Sequence, residues 1–391
     1  MKRDTILSIR LPVEGRALET YQVREPRWFE RPARPFTRIA YAAAHVVADP
    51  WSTREPCLEA VVDWDATIAF RRHLWSWGLG VAEAMDTAQR GMGMDWNASL
   101  ELIRRTLGAA KSVPDAVVGC GAGTDHLAPD PSLGIERVIA AYEEQCAAVE
   151  KLGGRIVLMA SRALAACAKS PDDYARVYDR VLAQVREPVI IHWLGEMFDP
   201  ALAGYWGHAD HGKAMDVCLD VIRKSAAKVD GIKVSLLDQD KEIAMRRRLP
   251  KGVRMYTGDD FNFAELIEGD GEGHSDALLG IFDAIAPAAS GALSALAGGD
   301  RAAYHDILAP TVPLSRHIFQ APTRFYKTGV VFLAWLNGHQ EHFVMVGGQE
   351  SARSLLHFAE LFRLADQAGL LADPALACRR MRQLLAVHGI A

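Results

Sequence analysis

The chain has 391 residues; half are hydrophobic, 24% are charged, and the formal net charge is −5. This length and hydrophobicity supply a large core, either as one α/β domain with additions or as two domains, and they argue against disorder. The small negative charge gives no electrostatic case for binding nucleic acid or an anionic membrane surface.

Residues 1–36 form the first predicted unit. They are rich in Arg, Glu and Pro without a clear helix period, so we interpret them as an extension that wraps the main domain or reaches a partner subunit. The apolar stretch near the start is broken by Arg10, which makes it too short and too charged for a secretory signal. With no CxxC pair among six cysteines and no membrane-length apolar stretch, a cytoplasmic protein with reduced thiols is expected.

Eight short apolar runs follow, separated by amphipathic stretches long enough for helices. The runs are 39–47, 81–85, 116–120, 156–160, 189–194, 232–237, 253–256 and 277–282. Alternating strands and helices predict a parallel sheet, because a parallel connection needs a crossover. Eight units over about 250 residues match the size of a (β/α)8 TIM barrel, which we place at 37–287. A doubly wound open sheet is the structural alternative.

Helix starts and stops agree with this order. Asp63, Asp95 and Ser170 each precede an amphipathic stretch, and such side chains accept hydrogen bonds from the free N–H groups of a helix start. Residues 288–391 have helical patterns, with stretches at 325–336 and 351–368 that stop at Asn-Gly and Gly. The sequence therefore predicts an N-terminal extension, a barrel and a helical C-terminal region.

Lys233 stands inside the sixth apolar run. A lysine is rarely buried, because removing an ammonium from water is costly, and burial lowers the pKa of the amine. A neutral amine at working pH is what Schiff-base chemistry on a carbonyl requires. The structural alternative is that Lys233 leaves the strand end and pairs with Asp238 or Asp240.

Several motifs in the same order resemble one known family. Asp230-Gly231-Ile232-Lys233, followed by Tyr256-Thr257-Gly258-Asp259-Asp260, is similar to segments of the dihydrodipicolinate synthase / N-acetylneuraminate lyase family. Segments 118–124, 86–90 and 285–287 fall where that family has corresponding motifs. The resemblance implies a class I aldolase on a (β/α)8 barrel with a helical C-terminal region, Lys233 as the Schiff-base lysine, and no diffusible cofactor.

The departures from that family are equally informative. Its fourth strand carries a tyrosine that relays protons, whereas no tyrosine lies between 156 and 173 here. An arginine of its fifth-strand loop is replaced by the segment 192–197, and a threonine pair is reduced to Thr87-Ala88. We therefore expect a lyase or aldolase acting on a 2-oxo acid or keto-sugar acid, in a distant branch, and not dihydrodipicolinate synthase itself.

Other candidate residues come from the predicted strand ends, where barrel active sites collect. His192 is the preferred replacement acid/base since imidazole titrates near neutrality, and Ser161 could relay a proton through water. Each could equally be a structural residue, and Asp260 could simply cap a helix. The candidate substrate-binding residues are Thr87, Gly121, Asp259, Asp260 and His274.

Two other functions stay open. His208 and His211 share one face if their segment is helical, and with His192 they could hold a divalent metal in a sugar isomerase, epimerase or class II aldolase. A barrel that only binds a metabolite is the third possibility, supported by the missing tyrosine. In every case we expect a small-molecule ligand, a carbonyl compound in the leading interpretation, and a homodimer or homotetramer.

Overall fold

The structure, a computed structural model, describes residues 7–390, and its centre is a closed barrel of eight parallel strands. In chain order the strands are β1 (Ser8–Val13), β2 (Ala17–Gln22), β3 (Ala40–Ala43), β4 (Gly80–Glu83), β5 (Val118–Ala122), β6 (Arg155–Leu158), β7 (Val189–Leu194), β8 (Val229–Ser235), β9 (Arg254–Thr257) and β10 (Asp276–Leu279). Strands β3 to β10 pair in sequence order, and β10 pairs with β3. The predicted (β/α)8 barrel is confirmed, and the open-sheet alternative is wrong.

Helices surround the barrel and form the C-terminal region. They are α1 (Trp64–Ser76), α2 (Trp96–Ala110), α3 (Ile135–Lys151), α4 (Arg162–Cys167), α5 (Pro171–Gln184), α6 (His211–Lys224), α7 (Gln239–Arg246), α8 (Phe263–Glu268), α9 (Ile281–Ala284), α10 (Ala286–Ala297), α11 (Arg301–Leu308), α12 (Thr311–Ile318), α13 (Tyr326–Leu336), α14 (Leu355–Gln367) and α15 (Pro374–Val387). Asp63 and Asp95 cap α1 and α2, and Ser170 forms a capping box on α5, as their sequence positions predicted. None of the described helices is long and apolar enough to cross a membrane.

Two tyrosines fill the lower half of the barrel. The rings of Tyr41 and Tyr256 lie 6.2 Å apart among the inward-facing side chains. A Cβ atom at Gly231 would lie 2.6 Å from the Tyr256 ring, so glycine is required for this ring to fit. The Tyr256 hydroxyl donates to Asp230 near the start of β8 (2.6 Å). The barrel floor is therefore packed, and the first polar layer lies above it.

A buried ion pair joins this barrel to its helices. Arg71 of α1 donates to both carboxylate oxygens of Glu83 on β4, at 2.8 and 2.9 Å, and neither side chain is exposed. The hydroxyl of Thr106 on α2 also donates to Glu83. A pair of this kind is costly to break by removing one partner, since the other charge is left buried. Glu83 therefore serves the packing of β4 against its helices.

The N-terminal extension is a hairpin that packs on the C-terminal helices. Ile9 and Leu11 of β1 are buried, the alternation expected for a strand with one covered face. The Tyr21 hydroxyl donates to Asp366 of α14 (2.7 Å), and the backbone N–H of Arg24 donates to the same carboxylate (3.1 Å). Part of the predicted extension thus contacts the chain's own C-terminal region, and the predicted role of residues 1–6 lies outside the described residues.

Candidate active site

Lys233 lies in the barrel interior at the level where the packed floor ends. Its neighbours on β8, Ile232 and Val234, pack outward in the core shared with the helices, so the lysine between them faces inward. Only 7% of its surface is exposed, and burial lowers the pKa of its amine. The carboxylates of Asp260 and Asp86 act in the opposite direction, because a nearby negative charge favours the ammonium.

The backbone of Gly258, which has no side chain, packs against the aliphatic part of the Lys233 side chain. A Cβ atom at Gly258, in the turn after β9, would lie 2.7 Å from Cε of Lys233 and 2.2 Å from Oγ of Ser235. Both distances are too short for any side chain, so glycine at 258 creates the space that the lysine occupies. Within residues 7–390 the amine itself has no hydrogen-bond or ion-pair partner, so it is free to meet a ligand.

His192 lies beside Lys233 on the neighbouring strand, in direct register with it. Its Nε2 contacts Oγ of Ser235 (3.3 Å), while its Nδ1 is buried and has no partner among the described residues. Burial, and then the charge of Lys233, lower the pKa of His192 well below its usual value. The imidazole is therefore neutral near pH 7, which suits a hydrogen-bonding group better than the acid/base titrating near neutrality that the sequence predicted.

The two aspartates after β9 have different surroundings. Asp259 accepts hydrogen bonds from the backbone of Phe261 and Asn262, at 2.8 and 3.0 Å, and from the Asn262 amide (2.8 Å). These bonds close a turn ahead of α8, whose N-cap residue Asn262 makes no side-chain capping bond, so neither Asp259 nor Asp260 caps that helix as the sequence suggested for Asp260. Asp260 accepts one backbone hydrogen bond from Ile281 (2.9 Å), and burial raises the pKa of its carboxyl.

A tyrosine reaches this site from the C-terminal region. The Tyr326 hydroxyl, at the start of α13, is 2.7 Å from Oγ1 of Thr87, and both side chains are buried. Burial raises the pKa of Tyr326, and the carboxylates of Asp86 and Asp260 contribute, so the phenol stays protonated. These are the same two carboxylates that act on Lys233, so Tyr326 belongs to the same cluster. The predicted hydroxyl of Thr87 is thus shared with a residue that the sequence analysis missed.

Two of the predicted site residues, Ser161 and Gly121, have structural contacts instead. The Ser161 hydroxyl accepts from Leu164 (2.9 Å), which caps α4, and it also contacts Thr124 (2.6 Å). A Cβ atom at Gly121 would meet the carbonyl of Ala84 at 2.6 Å. The space next to Gly121 is therefore occupied by protein atoms and is not open to a substrate.

His274 corrects the strand-end argument more directly. It is exposed and precedes β10, whereas active sites of this fold lie where strands end. Residues just before a strand lie at the opposite, N-terminal face of the barrel. This placement argues against the predicted substrate-binding role of His274.

The predicted metal ligands do not converge. His211 begins α6 and lies 3.3 Å from Glu196, on a loop that follows β7, whereas His192 faces the barrel interior. His208 precedes α6, outside the barrel strands. Across residues 7–390, no group of three or more His, Cys, Asp or Glu side chains is placed to hold a metal ion. The metal alternative therefore gains no support from the side-chain arrangement.

A cavity opens above this cluster at the carboxyl ends of the strands. It is lined by Asp86, Arg90, Arg162, His192 and Asp199, and its outer part by Arg324, Tyr326 and Lys327. Arg90 is engaged, since it donates to Asp125 and to the carbonyl of Gly121 (2.7 Å). Lys327 carried the same signal as Lys233, a lysine beside an apolar run, and could have been found that way.

Comparisons with known proteins match this fold. A family model described as "Protein of unknown function (DUF993)" matches residues 9–390. No curated protein matches the chain. YagE from Escherichia coli K12, a protein of the dihydrodipicolinic acid synthase family solved in complex with pyruvate, gives a TM-score of 0.65 at 14% identity, covering 85% of this chain and 99% of that chain.

Two dihydrodipicolinate synthases are similar to the chain in the same way. The enzyme from Aquifex aeolicus gives a TM-score of 0.63 at 12% identity, with 86% of this chain and 99% of that chain covered. The enzyme from Acinetobacter baumannii, complexed with pyruvate, gives 0.61 at 14%, with 85% and 99% covered. At these identities the likeness shows the fold, and it confirms the resemblance inferred from the motifs.

Proposed function

This chain belongs to the DUF993 family, and we propose that it is a Schiff-base-forming lyase or aldolase that acts on a 2-oxo acid or keto-sugar acid. One observation carries the proposal: a buried lysine amine with a lowered pKa, without a hydrogen-bond or ion-pair partner among residues 7–390, faces the barrel interior. Structures of similar fold have been solved with pyruvate, a 2-oxo acid, which supports this substrate class.

The chemistry begins at the amine of Lys233. The neutral nitrogen attacks the carbonyl carbon of the substrate, and the carbonyl oxygen leaves as water, which gives a protonated imine. In a dehydration, a carbon next to this cation loses a proton, and the enamine so formed expels the adjacent hydroxyl as water. In a cleavage, the cation accepts the electron pair of a neighbouring C–C bond as that bond breaks, and the departing carbon loses its hydroxyl proton and leaves as a carbonyl compound. The resulting enamine takes up a proton, and water then releases the product and regenerates the amine.

Proton transfer needs a group close to that nitrogen. Asp260 is the best candidate, because its carboxyl acts on Lys233, is buried, and has its pKa raised by that burial. A raised pKa lets a carboxyl both accept and return a proton near neutral pH. Asp260 thus takes the role for which the sequence analysis favoured His192 and Ser161.

Hydrogen bonds to substrate oxygens come from the neutral groups of the cluster. The hydroxyl pair of Tyr326 and Thr87 stays protonated, and Nδ1 of His192 is buried without a partner in the described structure. A buried polar atom without a partner is costly, and a substrate oxygen or a water could satisfy it. Tyr326 therefore supplies, from the C-terminal region, a phenol that β6 lacks.

This replacement is also why we propose a reaction other than that of dihydrodipicolinate synthase. No tyrosine occupies the β6 position, and the backbone N–H of Ser161 there donates to the hydroxyl of Tyr205 (3.0 Å). We further propose three parts: an extension at 1–36, a catalytic barrel at 37–287 and a helical region at 288–391 that completes the mouth. A cytoplasmic homodimer or homotetramer without a diffusible cofactor stays part of this proposal.

Reductive trapping tests the proposal. Protein incubated with pyruvate and borohydride should gain one stable adduct mass, and digestion should place it on the peptide that carries Lys233. Lys233→Arg should gain none, because arginine is not deprotonated to a nucleophile in proteins. Lys327→Arg is the matched control, since Lys327 is also buried and has a pKa lowered to about 8. An adduct on Lys327, or none with any 2-oxo acid, contradicts the proposal.

A further inference from the structure

The outer half of the cavity is unusually basic. Arg162, Arg324 and Lys327 line it, together with the carboxylates of Asp86 and Asp199. Arg162 uses its Nε to pair with Asp199, which leaves its terminal guanidinium nitrogens to the cavity. Arg324 and Lys327 have no carboxylate partner within residues 7–390. The positive side chains therefore exceed the negative ones that face them.

Lys327 is the buried member of this group. Only 4% of its surface is exposed, and its amine donates to the carbonyl oxygen of Arg324 (3.0 Å) and contacts Sδ of Met92 (3.3 Å). Burial lowers its pKa to about 8; the carboxylates of Asp86 and Asp199 act against this shift, and the guanidinium groups of Arg162 and Arg324 act with it. This buried ammonium shares its cavity with these two guanidinium groups, and its direct contacts are a carbonyl and a sulfur atom, so it gains from an added negative ligand.

The position of this cluster connects it to the reacting lysine. The Asp86 carboxylate lines the cavity beside Lys327 and acts on the amines of both Lys233 and Lys327, so both lysines lie near it. Asp86 and Arg162 line both the inner and the outer parts of the mouth. A ligand whose carbonyl carbon meets Lys233 therefore extends past Asp86 toward the basic group.

We propose that Lys327, Arg162 and Arg324 form a subsite for a second anionic group, a carboxylate or a phosphate, at the far end of the substrate. This inference rests on the proposed function, since it assigns the distal end of the same ligand. A guanidinium fork binds either group in a bidentate way, and the lysine adds a point charge. The substrate class narrows to oxo acids with a charged group at both ends.

A matched pair of ligands tests the subsite. 2-Oxovalerate and 2-oxoglutarate have the same chain length and differ only in the distal carboxylate. The concentration that half-saturates reductive trapping should be about 10- to 100-fold lower for 2-oxoglutarate. Lys327→Met and Arg324→Gln should each reduce that ratio toward one. Arg324 is exposed, so its variant keeps the test open if the buried substitution fails to fold. Lys251→Met, an exposed lysine at the opposite end of the barrel, should keep the wild-type ratio.

Calorimetric titration with inorganic phosphate separates this inference from the proposed function. Phosphate binding that is lost in Lys327→Met and Arg324→Gln supports the subsite even if no oxo acid forms an adduct. Phosphate binding of this kind, without a preference for 2-oxoglutarate, assigns phosphate as the distal group. Equal half-saturation by both oxo acids, with phosphate binding absent or unchanged in the variants, overturns the subsite while the adduct on Lys233 preserves the Schiff-base reaction.

Discussion

Gly258→Ala should damage the reaction far more than the fold. The new Cβ atom would lie 2.2 Å from Oγ of Ser235 and 2.7 Å from Cε of Lys233, whereas unbonded heavy atoms normally stay about 3.5–4.0 Å apart. The lysine stem must therefore move by about 1 Å. Overpacking of this size costs about 1–3 kcal/mol of unfolding free energy. A displacement of about 1 Å at the reacting group can slow chemistry about 100-fold.

The assay compares trapping rate with stability in the same preparation. Gly258→Ala should trap pyruvate about 100-fold more slowly. Its unfolding free energy should fall by about 1–3 kcal/mol, because the new Cβ also meets the backbone carbonyl of Val234 at 2.7 Å. Gly108→Ala is the matched control, because its Cβ meets nothing within 4 Å on the surface of α2. That control should trap at the wild-type rate and be slightly more stable. Wild-type trapping by Gly258→Ala would refute the contact with Lys233.

Three further outcomes are expected. Cyanoborohydride trapping should rise with pH to a midpoint below 10.5, because only the neutral amine attacks and burial lowers the pKa of Lys233. Asp260→Asn should move that midpoint to lower pH, since the substitution removes a charge that raises the pKa of Lys233. Tyr326→Phe should slow trapping at least about 10-fold. The control variant Tyr304→Phe also removes a buried hydroxyl hydrogen bond, 2.6 Å to the carbonyl of Ala264. Both variants should lower the unfolding free energy by about 1–3 kcal/mol, but Tyr304→Phe should trap the substrate at the wild-type rate. Burial lowers the pKa of His339 to about 4, so between pH 6.5 and 5 the unfolded histidine takes up a proton and the folded one does not. The unfolding free energy measured in urea should fall over this range, and His339→Gln should reduce the fall by about 1–2 kcal/mol; His73 and His357, whose pKa values burial lowers to about 3, account for further loss.

The barrel could be predicted from the sequence because its signals are local. Each of the eight apolar runs overlaps one barrel strand, and the helix caps at Asp63 and Asp95 lie where the sequence placed them. Buried parallel strands must be apolar, and a crossover needs a helix, so the order specifies a parallel sheet, and the count of eight units favours its closure into a barrel. The hairpin β1–β2 was missed, because only Ile9, Leu11 and Pro12 of its first strand are buried and its second strand is largely exposed.

The site was predicted less completely, because it depends on contacts between distant segments. Thr87 and Tyr326 meet across 239 positions, and no spacing rule connects them. His274 precedes β10 and so lies at the N-terminal face of the barrel, whereas the sequence analysis grouped it with residues that follow strands, at the C-terminal face. The role of His192 changed since its burial, which the sequence does not reveal, lowers its pKa. The burial of Lys233, by contrast, could be predicted from the apolar run in which it stands.

The hairpin that packs on α14 has a consequence for synthesis. Asp366, which accepts a hydrogen bond from the backbone of Arg24, is synthesised 342 positions after it. The barrel likewise closes only when β10 is available to pair with β3. Ile9 and Leu11 therefore emerge from the ribosome long before the surface that covers them exists. Long-range pairing of this kind folds slowly and exposes unpaired strands to other chains. A ribosome that stalls before α14 carries a chain whose first strand has no docking surface, so chaperone capture should be strongest at its amino terminus.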